Sequence, residues 1–229
     1  MLQNTTVVVR NLIIINVLFF GASMLLGNEM AITWLAGTYP GSPFFMPWQI
    51  ITHMFMHGGL THLFFNMFAL YMFGSQLERL WGPKRFLNYY VISGLGGFFL
   101  HELFIGLEFY NTLGTFFPMR EQLVPAGVSD RIAVRYIEAA YGRVVGASGA
   151  VFGILLAFGM LFPNTRLMLL FPPIPIKAKY FVIGYGLIEL SLAFQNGSGD
   201  NVAHFAHLGG MLFGYILLKQ WQKDRGTFY

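Results

Sequence analysis

Two stretches of this sequence decide how the chain is expected to fold: Gly-Ala-Ser-Gly-Ala-Val-Phe-Gly at residues 146–153 and His-Leu-Gly-Gly-Met-Leu-Phe-Gly at residues 207–214. Each stretch opens an apolar segment and carries two glycines four residues apart. Small residues at this spacing let the backbones of two helices approach closely in lipid. The two stretches therefore predict a pair of closely packed helices that brings Ser148 near His207.

The composition indicates that these helices lie in a membrane. The chain has 229 residues, of which 55% are hydrophobic and 10% charged, whereas about a quarter of the residues of a soluble domain carry charge. The formal net charge is +4, but the basic residues lie between apolar runs, so nucleic-acid binding is not expected. The absence of cysteine excludes a disulfide framework, a thiolate metal site and a cysteine nucleophile.

Several segments have the length and apolarity of transmembrane helices, which take about 20 residues to cross the hydrocarbon core. Their approximate bounds are 11–27, 49–73, 86–107, 145–162, 178–195 and 201–219. The sequence therefore predicts an all-α membrane protein, in which residues 1–229 form one domain, a six-transmembrane-helix bundle. The first segment resembles a signal peptide, but its apolar run is long and no convincing cleavage site follows, which favours an uncleaved anchor.

The positions of Lys and Arg indicate the orientation of this bundle. Basic residues cluster in the connections 74–85 and 163–177 and in the tail after the last segment, and they are absent from 28–48 and 196–200. Because basic residues favour the cytoplasmic side, both termini are expected in the cytoplasm. The end of the bundle that holds Ser148 would then open to the extracytoplasmic side.

The long connection 108–144 is expected to be extracytoplasmic. Its residues 130–141 mix apolar and charged side chains, and they fit an amphipathic helix at the membrane interface or a partly ordered loop equally well. The segment 171–176, Phe-Pro-Pro-Ile-Pro-Ile, is predicted to be a cytoplasmic connector, because its prolines exclude a continuous helix.

Polar side chains of three segments converge at one depth in the membrane. Ser148 lies near the outer start of the fourth segment, and His207 lies a few residues into the sixth. His62 and Asn66 share one face of the second segment, four residues apart. A serine hydroxyl beside an imidazole is the arrangement of a nucleophile activated by a general base. Phe152, one turn after Ser148, is placed to support the imidazole ring.

Other interpretations of these residues are possible. A lone serine in a transmembrane helix usually bonds back to its own backbone, and a lone histidine is usually an interior polar contact. His53 and His57, four residues apart, could ligate a metal or haem, but no carboxylate or thiolate accompanies them. Glu189 is the only acidic residue well inside a late segment, too little for an ion path. Neither a metal nor a cofactor is predicted.

Four motifs resemble, in order and spacing, the rhomboid family of intramembrane serine proteases. The first is Trp-Gln-Ile-Ile-Thr-His-Met-Phe-Met-His-Gly-Gly-Leu-Thr-His-Leu-Phe-Phe-Asn at 48–66, and the second is Gly-Ser-Gln-Leu-Glu-Arg-Leu-Trp-Gly at 74–82 with Phe86. The others are Gly-Ala-Ser-Gly at 146–149 and Ala-His-Leu-Gly-Gly at 206–210. Each motif is short, but all four in this order form a specific signature that covers most of the chain.

The resemblance implies a six-helix core with Ser148 as the nucleophile and His207 as the general base, without an acidic third member. It implies an oxyanion site formed by His62, Asn66 and the backbone N–H of Ser148. His53 and His57 match positions that support the first loop, and His204 has no assigned role. Helix-packing support is expected from glycines, namely Gly146, Gly149, Gly153, Gly210 and Gly214.

One residue departs from the family pattern. Gln49 stands where many members carry Arg after the loop tryptophan, which predicts a less firmly anchored first loop.

The function expected from the sequence is that of a serine endopeptidase that cleaves the transmembrane segments of membrane-protein substrates. Its partners would be these substrates and the lipid bilayer, and its location a bacterial inner membrane. A catalytically inactive, client-binding membrane chaperone is the alternative, but such a relative is expected to have lost Ser148 or His207. A transporter or haem protein would predict charged residues at mid-span and paired histidine ligands.

Overall fold

The structure is a computed structural model that describes residues 5–119, 122, 137, 139–168, 173–194 and 201–223, except for the side chains of 201–203. The described part is mostly helical. Its helices are α1 (Val7–Leu26), α2 (Asn28–Leu35), α3 (Gln49–Thr52), α4 (Leu60–Ala69), α5 (Ser75–Trp81), α6 (Pro83–Leu113), α7 (Ser148–Leu161), α8 (Ala178–Ala193) and α9 (Asn201–Lys223). A short antiparallel hairpin pairs β1 (Arg166–Met168) with β2 (Pro175–Lys177).

Within the described residues, α1 and α6 have the length and apolar composition needed to cross a bilayer, and α7 is a shorter apolar helix. The hairpin lies between α7 and α8, where the sequence predicts a connector rather than a helix. The predicted amphipathic helix 130–141 falls mostly outside the described residues.

The apolar segment 49–73 is not one helix. α3 continues into a 3₁₀ turn that ends at Phe55, and a separate helix begins at Leu60. From there α4, a π-helical turn at Leu70–Gly74 and α5 follow one another without a break as far as Trp81. The sequence joined a loop helix to a long helix because both are apolar, and hydrophobicity alone does not mark the turn between them.

Helix α6 is longer at both ends than the segment 86–107. It begins at Pro83, directly after Gly82, and ends before Gly114, whose backbone is left-handed with φ 73°. Proline in the first turn and a left-handed glycine after the last are the favoured ends of a helix. The long connection consequently starts after Leu113, not at residue 108.

The centre of the bundle is a backbone-to-backbone contact of α6, α7 and α9. A β-carbon on Gly210 would overlap the carbonyl oxygen of Gly149, and one on Gly97 would lie 2.5 Å from the carbonyl oxygen of Ala206. The Tyr89 hydroxyl donates a hydrogen bond of 2.9 Å to the Gly153 carbonyl and links α6 to α7. These contacts fix the position of α7 along the axis of α9 and therefore the depth of Ser148 relative to His207.

A buried carboxylate fastens the start of α1 to α5. Both oxygens of Glu78 accept backbone N–H groups of the first turn of α1, from Val8 and Val9, each at 2.9 Å. The first N–H groups of a helix lack partners within the helix and form a positive end, so a carboxylate is a favourable partner there. Glu78 thus has a structural role, which the motif 74–82 does not reveal by itself.

Gln49 anchors the first loop, contrary to the expectation from the missing arginine. Its side chain is fully buried, and its amide nitrogen donates to the carbonyls of Thr33 and Phe44 at 3.1 and 3.2 Å. Its amide oxygen accepts the N–H of Met46 at 3.0 Å. A neutral amide can both donate and accept, so it holds three segments of loop backbone without a charge.

The first loop is also fastened to the chain that follows α6 and to the chain that precedes α7. The hydroxyl of Tyr39 donates to the Phe116 carbonyl at 2.5 Å, and burial raises the pKa of Tyr39 to about 12, so this hydroxyl keeps its proton at neutral pH. Gly37 and Val144 exchange two backbone hydrogen bonds of 2.8 Å. The loop therefore stands in a fixed position beside the start of α7.

Candidate active site

Ser148 is the first residue of α7 and is half-buried. Gly146 has a positive φ of 129°, which glycine adopts without strain, and its N–H donates to the His53 carbonyl at 2.9 Å. The first hydrogen bond inside the helix runs from the Val151 N–H to the Ala147 carbonyl at 2.9 Å. The N–H groups of the three preceding residues, including that of Ser148, therefore have no acceptor within the helix.

His62 faces Ser148 across Gly146. A β-carbon on Gly146 would lie 2.9 Å from Nε2 of His62 and 3.5 Å from Oγ of Ser148. The Nδ1 atom of His62 accepts the N–H of Gly58 at 3.4 Å, so in the neutral ring the proton resides on Nε2. The side of His62 that faces the serine is therefore a hydrogen-bond donor.

Asn66 lies one turn after His62 on the same helix and is buried. Its amide nitrogen donates to the His62 carbonyl at 2.9 Å. A side-chain amide carries two N–H donors, and this bond uses one of them.

His207 is held in place from two sides. Its ring stacks on that of Phe152, with centroids 4.0 Å apart and planes 7° from parallel. Its Nδ1 lies 2.9 Å from Oε2 of Glu189, on α8. The Gly149 and Ala206 backbones meet beside it, since a β-carbon on Gly149 would lie 3.3 Å from the Ala206 carbonyl oxygen. Because Gly149 follows Ser148 and Ala206 precedes His207, serine and histidine lie on touching stretches of α7 and α9.

Glu189 is the residue that sequence reasoning missed. Its Oε2 also lies 2.6 Å from Nδ1 of His204, which had no assigned role. The resemblance implies a serine and histidine without an acidic member, yet the structure places a carboxylate against the imidazole. The available signal was that a lone acid within an apolar helix must find a partner, because an unpaired buried charge is costly.

Four of the five predicted glycines lie between helices. Gly149 and Gly210 touch each other across α7 and α9, and Gly149, Gly153 and Gly214 also face α6: a β-carbon on Gly214 would lie 2.5 Å from the Tyr89 hydroxyl oxygen. Gly146 does not lie between helices, since it borders His62 and Ser148 as described above.

The structure does not bring His53 and His57 together as a pair of metal ligands. Nδ1 of His53 lies 3.0 Å from the Gln49 carbonyl oxygen, and its ring stacks on Phe98 at 4.6 Å. The His57 ring lies edge-on to His62, with centroids 5.1 Å apart. In the described part of the chain, one other group has the side chains of a metal site, Glu189 with His204 and His207. Its nitrogen–oxygen distances of 2.6 and 2.9 Å are those of hydrogen bonds.

Comparison with known proteins shows the family to which the chain belongs. The family model described as the Rhomboid domain matches residues 45–220, a range that begins just before α3 and ends in α9. The chain therefore belongs to the rhomboid family, whose members are integral membrane proteins.

Three relatives illustrate its range. The mitochondrial Rhomboid protein 1 of Saccharomyces cerevisiae is 29% identical over 77% of this chain and 44% of its own length. The mitochondrial RHOMBOID-like protein 6 of Arabidopsis thaliana is 29% identical over 79% of this chain and 48% of its own length. The Rhomboid protease GlpG of Yersinia pestis is 27% identical over 59% of this chain and 56% of its own length. The chain thus spans about half the length of the curated relatives it matches.

Proposed function

We propose that the protein is an intramembrane serine endopeptidase that cleaves transmembrane segments of membrane-protein substrates. The observation that carries this proposal is the fixed imidazole of His207, which stacks on Phe152 and is bonded through Nδ1 to Glu189. The stretch of α9 that carries it touches α7 at Gly149, the residue after Ser148. A serine at the start of a helix beside an immobilised imidazole is suited to nucleophilic catalysis. The family and its protease relative support the same activity.

The mechanism follows from which side-chain atoms already have hydrogen-bond partners. Nδ1 of His207 is engaged with Glu189, so Nε2 is the nitrogen available to take the Ser148 proton as Oγ attacks the scissile carbonyl. The tetrahedral oxyanion is stabilised by the helix-start N–H of Ser148, by His62 Nε2–H and by Asn66. His207 then protonates the leaving amine, and a water molecule activated by the same imidazole hydrolyses the acyl-enzyme.

The substrate is proposed to be a membrane protein with a helix-breaking stretch near the outer end of its span. A peptide bond in an intact helix has its carbonyl hydrogen-bonded and surrounded by side chains, so the substrate segment must unwind before Ser148 reaches it. Residues such as Gly and Pro lower the cost of unwinding. Water enters from the extracytoplasmic side, near the first loop and α7.

A direct test of the activity uses the purified protein in liposomes with a single-span model substrate. Proteolysis is expected to yield two fragments with the cut inside or at the edge of the span. An inactive client-binding chaperone, the alternative from the sequence, would co-purify with the intact substrate and leave it uncut. The presence of Ser148, His207, His62 and Asn66 favours the protease.

Six membrane crossings with both termini in the cytoplasm are part of the proposal. They are supported by the helices α1, α4 to α5, α6, α7, α8 and α9 and by the distribution of Lys and Arg.

The orientation gives a labelling prediction. Because the chain has no cysteine, a single introduced cysteine is the only reactive thiol. Thr112→Cys, at the exposed outer end of α6, should react with a membrane-impermeant maleimide in intact cells. Asn164→Cys, in the exposed turn that follows α7, should react only after permeabilisation. The opposite pattern would invert the orientation. If both cysteines were labelled from outside, they would lie on the same side of the membrane, and the single crossing proposed for α7 would be wrong.

Asn66→Ala is predicted to lower activity with little loss of stability. Removing one oxyanion donor costs on the order of 10²-fold in kcat in other serine enzymes. Asn16→Ala is the matched control, because Asn16 is also a buried helical asparagine that donates to the carbonyl four residues earlier, Leu12, at 2.7 Å, but it lies on α1. Cleavage rate and melting temperature are measured for both variants.

This comparison separates chemistry from packing. If Asn66→Ala and Asn16→Ala lower the melting temperature equally and neither changes kcat, Asn66 is a structural side chain and its oxyanion role is withdrawn.

A bacterial inner membrane is proposed as the location. Relatives from a bacterium and from mitochondria match the chain at similar identity, so the comparisons favour neither compartment.

A further inference from the structure

Glu189 is a buried carboxylate that joins two histidines. It lies on α8, is 5% exposed, and its Oε2 is 2.6 Å from Nδ1 of His204 and 2.9 Å from Nδ1 of His207. A carboxylate at this depth is costly unless hydrogen bonds compensate for the lost water. Here one oxygen accepts two ring N–H groups, which provides that compensation.

These bonds determine the tautomer of both rings. An ionised carboxylate only accepts hydrogen bonds, so each histidine must carry its proton on Nδ1 to bond with Oε2. The Nε2 atom of His207 is then unprotonated in the neutral ring. This is the state that a base needs in order to take a proton from a serine hydroxyl.

Among the described residues, few titratable groups face His207. They are His204 on its own helix, Glu189 on α8, Tyr185 one turn before Glu189, and His62 on α4. The Tyr185 ring stacks on Phe152, with centroids 5.2 Å apart, and Phe152 stacks on His207. Among these groups, the carboxylate is the one that carries negative charge at neutral pH and can stabilise an imidazolium.

We propose that Glu189 is a positioning residue for His207 and completes a Ser148–His207–Glu189 triad whose members come from α7, α9 and α8. It holds the imidazole in the Nδ1–H tautomer and stabilises the positive ring that forms when the serine proton arrives. His204 is the second donor, which fixes the carboxylate at the correct height on α8. The inference rests on the proposed function and changes the pair implied by the family resemblance into a three-residue system.

The test uses Glu189→Gln in the full-length protein in liposomes. The amide has nearly the same shape but no charge, and its NH₂ group cannot accept a ring N–H. Because replacing the acid of a Ser-His-acid triad costs on the order of 10⁴-fold in kcat, a loss of at least about 10²-fold is expected. KM should remain within about threefold, since Glu189 does not touch the substrate. The labelling rate of Ser148 by a fluorophosphonate should fall in parallel.

Two further variants separate positioning from simple packing. Glu189→Asp keeps the charge and should recover at least about tenfold of the kcat lost by the amide. Glu102→Gln is the matched control, because Glu102 is also buried in a helix, 8% exposed and 4.0 Å from a histidine, but that histidine is His101 on α6 and not the proposed base. Its kcat should equal that of the wild type.

Several outcomes would overturn the inference. The first is a Glu189→Gln variant with kcat within about threefold of the wild type. The second is a loss shared equally by Gln and Asp variants together with a fall in melting temperature. If the Gln variant does not fold, Glu189→Ala takes its place, and a folded Ala variant with kcat within about threefold of the wild type overturns the proposal. Loss of wild-type activity in EDTA that Zn²⁺ restores would do the same, since the three side chains would then be metal ligands.

Failure of this inference is distinguishable from failure of the proposed function. If Ser148→Ala still cleaves, the protease mechanism itself is wrong. If Ser148→Ala is inactive while Glu189→Gln is fully active, the mechanism stands and the role of Glu189 alone is wrong.

Discussion

Replacing Ser148 by alanine is expected to reduce cleavage of a transmembrane substrate to background, a loss of roughly 10⁴-fold or more. No other side chain at the start of α7 can supply a nucleophile, since Ser148 is followed by Gly149 and Ala150. The melting temperature should hardly change, because Ser148 is half-buried and the substitution removes one hydroxyl. The measurement is a cleavage rate in liposomes beside a melting curve in detergent.

Ser23→Ala is the matched control for this variant. Ser23 is a helical serine on α1 whose hydroxyl donates to the Phe20 carbonyl at 2.8 Å, so its replacement makes the same chemical change on a helix that carries none of the proposed catalytic residues. It should cleave at the wild-type rate. Ser148→Ala activity within about tenfold of the wild type would remove Ser148 from the mechanism.

Gly210→Leu is expected to lose both activity and stability. Even the first atom of a side chain at residue 210 would overlap the Gly149 carbonyl, so α7 and α9 would have to separate. Overpacking of this kind costs about 1–3 kcal/mol, which lowers the melting temperature by roughly 2–12 °C in a domain of this size. Activity falls with it, because the separation moves His207 away from Ser148.

Gly184→Leu is the control for side-chain size. Gly184 lies in α8, and a β-carbon there would meet nothing within 4 Å. This variant should keep its melting temperature and its cleavage rate. If Gly210→Leu melts like Gly184→Leu, the two helices are not in contact at Gly149 and Gly210, and the account of how they place the serine and histidine is wrong.

The sequence predicts those parts of the fold and site that depend on short-range patterns. The glycine spacing places α7 against α9, and the helical period places Phe152 one turn after Ser148, where its ring supports His207. The sequence does not show that α6 takes part in the same contact, through Ser93 and Gly97. Nothing in a single helix indicates which of its small residues will face a neighbour.

The role of Glu189 could not be predicted for a related reason. It is 15 residues from His204 and 18 from His207 in the chain, on a different helix, so only the packing of α8 against α9 brings them together. The same holds for Gln49, whose carbonyl partner at Thr33 lies 16 residues away. The prediction of a single helix over 49–73 is wrong because the loop helix α3 and the long helix that begins at Leu60 are both apolar.

The most direct test of the central claim is to label the protein in lipid with a fluorophosphonate and to map the adduct by mass spectrometry. The account predicts one adduct, on the Oγ atom of Ser148, which is absent from His207→Ala and retained in part by His204→Ala. An adduct on a different residue, or full labelling of Ser148 in His207→Ala, would contradict the claim that His207 activates Ser148.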